Sequence, residues 1–132
     1  MRYILMTLFA SVLTMTPTQA SAQAMKSAEP FAVGTFNVDG RETLGLVLRQ
    51  QLVVELDAAN RNLQMEPGVP KMPMPEDMLQ LIGLYEYGLK PRLYEIVNHL
   101  VASGQLERNR PAHVYEVGEL RIRHPSCIRA RS

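Results

Sequence analysis

The chain has no tryptophan, a single cysteine among 132 residues, and almost no charge imbalance. One cysteine excludes an internal disulfide framework. Fourteen basic against thirteen acidic side chains leave a formal charge of +1, too little for a protein held to nucleic acid by a strong positive field. Apolar runs stay short of the roughly 20 residues that a membrane span requires, so no span is expected. The glycines are scattered, with no phosphate-cradling loop. No His-Glu-x-x-His or Cys-x-x-Cys pair supplies the usual zinc spacing. What remains fits one small domain, 46% hydrophobic and 20% charged.

The first residues follow the three-part layout of a cleavable signal peptide. Arg2 is a minimal positive region, residues 3–15 are mostly apolar, and Pro17 breaks the run. Ala20-Ser21-Ala22 and Ala22-Gln23-Ala24 offer cleavage sites, and no twin-Arg pair precedes them. Residues 1–24 are therefore expected to be removed, leaving 108 residues with equal numbers of acidic and basic side chains. A periplasmic or secreted location follows, in which Cys127 lacks an internal partner.

Residues 25–30 read as a leader. Phe31 to Val38 and Arg41 to Leu48 are strand-like and flank Asp39-Gly40, a strong hairpin signal. A type I′ turn there fixes the register: Val38 opposes Arg41, Thr35 opposes Leu44, Val33 opposes Leu46, and Phe31 opposes Leu48. All these residues are expected to share one face, while Gly34 meets Gly45 on the other and leaves room for a close approach. Leu52 to Leu56 extends the meander. Asp57 is a candidate N-cap for a short helix that buries Leu56, Ala59 and Leu63.

Four prolines exclude regular structure from Glu66 to Pro75. A helix from about Pro75 should bury Met78, Leu81, Ile82 and Tyr85 and stop at Gly88. A second, from Pro91 to Gly104, should bury Leu93, Ile96, Val97, Leu100 and Val101. Beyond a polar linker, residues 105–111, the alternation of Leu120 and Ile122 with Glu119, Arg121 and Arg123 reads as an edge strand. The pattern collapses after Pro125. The expected fold is α+β, an antiparallel hairpin or meander packed with two to three short helices, over residues 31–124. Residues 125–132 are an irregular tail.

Catalytic candidates are sparse. His99 lies beside the apolar face of its helix and reads as structural, whereas His113 and His124 are expected in solvent. Ser103 has no nearby base. No residue is assigned as catalytic or cofactor-binding. Met65, Met72, Met74 and Met78 are thioethers at a spacing that could hold Cu(I), which supports an alternative reading as a small periplasmic binding protein. The blander account has the same residues pin the proline-rich crossover onto the core. Residues 108–132 carry a net +4 and residues 25–107 a net −4, a split expected to give self-pairing or a solvated tail. No aromatics interleave the last arginines, which argues against nucleic acid.

The stretch Phe-Ala-Val-Gly-Thr-Phe-Asn-Val-Asp-Gly-Arg-Glu-Thr-Leu-Gly-Leu-Val (31–47), followed by Leu52-Val53-Val54-Glu55-Leu56-Asp57-Ala58-Ala59, resembles the opening of fumarylacetoacetate hydrolase family proteins. The helix over residues 93–102 and an extended strand near Leu120 fit the same N-terminal module, so the resemblance covers about residues 31–124. It implies metal-assisted hydrolysis, or related lyase and isomerase chemistry, on oxo-acids. The full-length relatives use a divalent cation, Mg or Ca, which polarises a keto-enolate oxygen as a Lewis acid. Their acidic ligands and an Asn-Tyr-x-x-His segment belong to a larger domain, and this sequence contains no such segment. No catalytic or metal residue transfers to any position here, and the module is expected to be inactive alone, with a catalytic domain or homodimer partner implied. Together with the loss of pattern after Pro125, this suggests an incomplete gene product whose residues 126–132 are read in a shifted frame.

Overall fold

A computed structural model describes residues 26–120. The expected cleavage sites, Arg121, Ile122, Arg123, His124, Cys127 and the irregular tail lie outside the described residues. Strands β1 (Phe31–Val38), β2 (Arg41–Leu48), β3 (Leu52–Glu55) and β4 (Val114–Glu116) form one antiparallel sheet in the order β1-β2-β3-β4. Between β3 and β4 lie α1 (Leu56–Leu63), α2 (Met78–Leu84), a 3-10 turn (Tyr85–Tyr87) and α3 (Leu89–Ala102). The fold is α+β, as the order of sequence patterns implies.

The hairpin register follows from its turn. Asp39 and Gly40 both have positive φ, 50° and 83°, the condition for a type I′ turn. Val38 pairs with Arg41, Thr35 with Leu44, Val33 with Leu46 and Phe31 with Leu48. Leu44, Leu46 and Leu48 thereby join Leu52, Val54 and Val114 in a core closed by Leu56, Ala59 and Leu63 of α1 and Leu93, Ile96, Val97 and Leu100 of α3. Val38 belongs to the opposite face, because it is an odd number of residues from Thr35. Gly34 pairs with Gly45 on that second face, and the Phe36 ring fills the space. A Cβ added at Gly45 would lie 2.9 Å from Phe36 and 2.9 Å from Val53.

Several element boundaries differ from expectation. Helix α1 starts straight from β3 at Leu56, and its N-cap, Glu55, makes no side-chain cap bond. Asp57 sits inside the first turn and pairs with Arg61 at 3.0 Å, so the chain caps nothing with it. Burial of Leu56 fixes the start two residues earlier than a capped helix would have it. Helix α2 begins at Met78, after Asp77 accepts a bond from Gln80 N at 2.8 Å. It is only two turns long and meets the body along Met78, Leu81 and Tyr85; Ile82 is 65% exposed rather than buried. Helix α3 starts at Leu89, ahead of Pro91, because proline at the third position forfeits no intrahelical bond. Gly88, at φ 112°, makes the sharp change of direction before it.

The last strand is the largest correction. It lies at Val114–Glu116, paired with β3 through Val114↔Val54 and Glu116↔Leu52. Leu120 instead follows a 3-10 turn over Val117–Glu119, where Glu116 and Glu119 form a reciprocal capping box. Three residues are too few to show a period.

Candidate functional site

The most constructed polar site lies where α1, α3 and the proline-rich crossover meet. Asn60 and Arg92 are the buried polar residues of the described core. Asn60 is on the inward face of α1, next to Ala59 and one turn before Leu63. Arg92 lies on α3 beside Leu93, and is only 3% exposed. Arg92 Nε donates to Asn60 Oδ1 at 2.9 Å, Nη1 to Glu95 Oε2 at 2.9 Å, and Nη2 to the carbonyl of Pro70 at 2.6 Å. Asn60 Nδ2 and Gln64 Nε2 both donate to the carbonyl of Met72, at 2.7 and 2.9 Å.

A chain rich in proline offers many carbonyls and few N–H donors. Arg92, Asn60 and Gln64 supply the missing donors, so the crossover is held by side chains where no secondary structure could hold it. The guanidinium has donors committed in three directions and is closed to solvent. The arrangement clamps a strap; it does not present a charge to a substrate.

A second polar seam joins α1 to α3. His99 Nε2 and Gln105 Nε2 both lie within hydrogen-bond distance of Asn62 Oδ1, at 3.2 and 3.3 Å. His99 is thus tied to a structural partner. His113 is half-buried, not solvated as its place flanking the expected last strand suggested: its carbonyl accepts from Glu55 N at 2.9 Å, and its Nε2 is buried with no partner. Burial pushes its pKa below the ordinary histidine value, partly offset by the Glu55 carboxylate and reinforced by Arg61. Ser103 Oγ donates to the His99 carbonyl at 2.7 Å, which occupies it as a helix-end hydroxyl.

The four methionines do not share one environment. Met72, Met74 and Met78 are partly buried and pack against the core, while Met65 is 80% exposed. At the far end of the sheet Glu42, Glu55, Asp57 and Glu76 border a hollow of about 360 Å³ together with Met74. Among the described residues, no three His, Cys, Asp or Glu side chains are disposed to hold a metal ion. Of the basic tail, Arg110 is paired with Glu116 at 2.6 Å.

An apolar cleft of about 630 Å³ opens beside β1. Phe31 and Tyr94 meet edge to face, with ring centroids 5.9 Å apart, and Val33, Tyr85 and the leader residues 26–30 complete the wall. Burial, then the neighbouring Tyr94 through charge and a hydrogen bond, raises the Tyr85 pKa. The leader is fastened above: Ala28 N donates to Asn98 Oδ1 at 2.6 Å, and Asn98 Nδ2 donates to the Lys26 carbonyl at 3.1 Å. Arg49 grips Glu29 at 2.7 Å and reaches Glu107 at 3.4 Å.

These features define a small α+β module built around clamps and open surfaces. No helix among the described residues is long and apolar enough to cross a membrane. No family model, curated protein or solved structure matches the chain. Sequence reasoning missed Asn60 and Arg92, and their only signal was position: each lies on the apolar stripe of its own helix.

Proposed function

We propose that the chain is the N-terminal module of an exported fumarylacetoacetate hydrolase family protein, and that it acts by packing against a partner domain instead of carrying out chemistry itself. The carrying observation is the exposed apolar side of α2 and the following turn. Leu79 is 80% and Tyr87 86% exposed, with Ile82 and Leu84 also open to solvent, an accumulation that isolated monomers rarely display. The strand–turn–strand opening from Phe31, on which the resemblance rests, agrees with this reading, as does the commitment of Arg92, Asn60 and His99 to internal bonds. In this reading the divalent cation and the oxo-acid chemistry belong to the partner domain.

Two measurements test the proposal. The purified chain, given an acylpyruvate and magnesium, is expected to show no hydrolysis above the uncatalysed rate; turnover would overturn it. Expression in a Gram-negative host is expected to yield a periplasmic product beginning at Met25. A cytoplasmic, uncleaved product would remove the export half of the reading.

A further inference from the structure

Among the described residues, strand β1 is one edge of the sheet, with β2 its sole neighbour in the strand order. It is eight residues long, Phe-Ala-Val-Gly-Thr-Phe-Asn-Val. It carries no charge and no proline. Proteins normally protect an edge of this length with lysine, proline, a bulge or a covering segment. The opposite edge, β4, is blunted: it has three residues and turns at once into a 3-10 turn.

The two-residue turn fixes which groups of β1 are free. Val38 and Arg41 flank that turn as a hydrogen-bonded pair, and the pairs alternate from there. Residues 38, 36, 34 and 32 therefore bond to β2. Phe31, Val33, Thr35 and Asn37 turn their N–H and C=O groups away from the sheet.

We propose that β1 pairs antiparallel with β1 of a second copy of this chain about a two-fold axis at Gly34. Facing Gly34 to Gly34 sets Phe31 of one copy against Asn37 of the other and Val33 against Thr35. Every outward backbone group then finds a partner, giving about eight inter-chain hydrogen bonds. On the axis a non-hydrogen-bonded pair makes the closest backbone approach, and glycine puts no side chain there. Each Phe36 ring already lies over its own Gly34 and would flank the axis on that face. No like charges oppose along the strands.

The area argues for a reversible dimer. An edge of eight residues is about 27 Å long and a single strand wide, so strand pairing alone buries less than the roughly 1,200–2,000 Å² of standard interfaces. The Phe31–Val33–Tyr85–Tyr94 cleft lies along this same edge and contributes the apolar part. A second copy fits better than an unrelated peptide, because this edge meets its own requirements of register, side-chain size and charge.

The test uses the full chain and an edge-specific variant. Thr35 pairs with Leu44 at a position where its N–H faces outward, so Thr35→Pro removes no bond within the chain. It removes two between copies and is expected to weaken association about tenfold or more. Thr35→Lys should act in the same direction by placing two charges near the axis. Sedimentation velocity over micromolar concentrations should find a monomer–dimer equilibrium for the wild type and monomers for both variants, with unchanged far-ultraviolet circular dichroism. Amide exchange at Val33 and Thr35 should slow as wild-type concentration rises. A wild type that stays monomeric up to about 10⁻³ M would overturn the proposal. So would Thr35→Pro chains that still dimerise, or concentration-independent protection of these amides, which would put another segment of the same chain on the edge.

Discussion

At the scale of single residues, polar side chains in this molecule serve the backbone. Arg92 and Asn60 answer carbonyls, and His99 and Gln105 answer Asn62. His113 is an exception, because its Nε2 is buried without a partner, as Gln105 Oε1 also is. Its lowered pKa makes the neutral ring the folded form, so the unfolded chain takes up the proton first as pH falls. Stability tied to this residue is fully present above the ordinary value of 6.5 and is lost progressively below it. Urea midpoints at pH 7.5 and 5.5 should show this drop for the wild type. His113→Gln, which cannot titrate, should flatten the slope across that window. Equal slopes would mean that burial of this ring has no thermodynamic consequence. Nothing in the sequence around Pro111-Ala112-His113 signals burial. It arises because β4 pairs with β3 immediately afterwards.

Elements were legible in proportion to their length. The hairpin could be written residue by residue, because a period of two and a two-residue turn leave a single register that buries Leu44, Leu46 and Leu48. Helix α3, with fourteen residues, shows a full stripe. Helix α2, with seven, shows a stripe on paper that includes Ile82, yet too little of the body lies beside it to cover that residue. The crossover between α1 and α2 was legible only as irregular; its attachment was not. That attachment predicts the effect of Arg92→Met. The substitution keeps the stem packed and removes the donors to Asn60 Oδ1 and Pro70 O, at a cost of about 1–3 kcal/mol for each buried acceptor left unpaired. Limited proteolysis should then cut between residues 66 and 75 well before the sheet or α3 is lost. Cleavage that keeps its wild-type pattern would show that the bonds from Asn60 and Gln64 to Met72 O and the packed methionines hold the strap without Arg92.

For the whole molecule, the question is which surfaces the core leaves open. The sheet is covered on one face by α1 and α3. On the other face it carries a small apolar patch, with Val38 and Val53 buried and Phe36 over the glycines. The outer side of α2 is uncovered. Leu79→Lys with Ile82→Lys should change the unfolding free energy by no more than about 0.5 kcal/mol, because neither side chain contributes to the core. The same pair should lower binding of an apolar fluorescent dye. A large loss of stability would mean that this side of the helix is covered in solution, and would count against the proposed packing on a partner domain.

The sequence by itself determined the hairpin, its register and the glycine pair, along with the stripes of α1 and α3 and the irregular crossover. Each is set by local spacing: alternation, a 3.6-residue period, or proline's lost N–H. Tertiary structure alone decided the place of β4, the exposure of Ile82, the burial of His113 and the clamp made by Arg92 and Asn60. Those outcomes depend on what lies across from a residue, and residues 60, 70, 72 and 92 become neighbours only when α1 and α3 pack together.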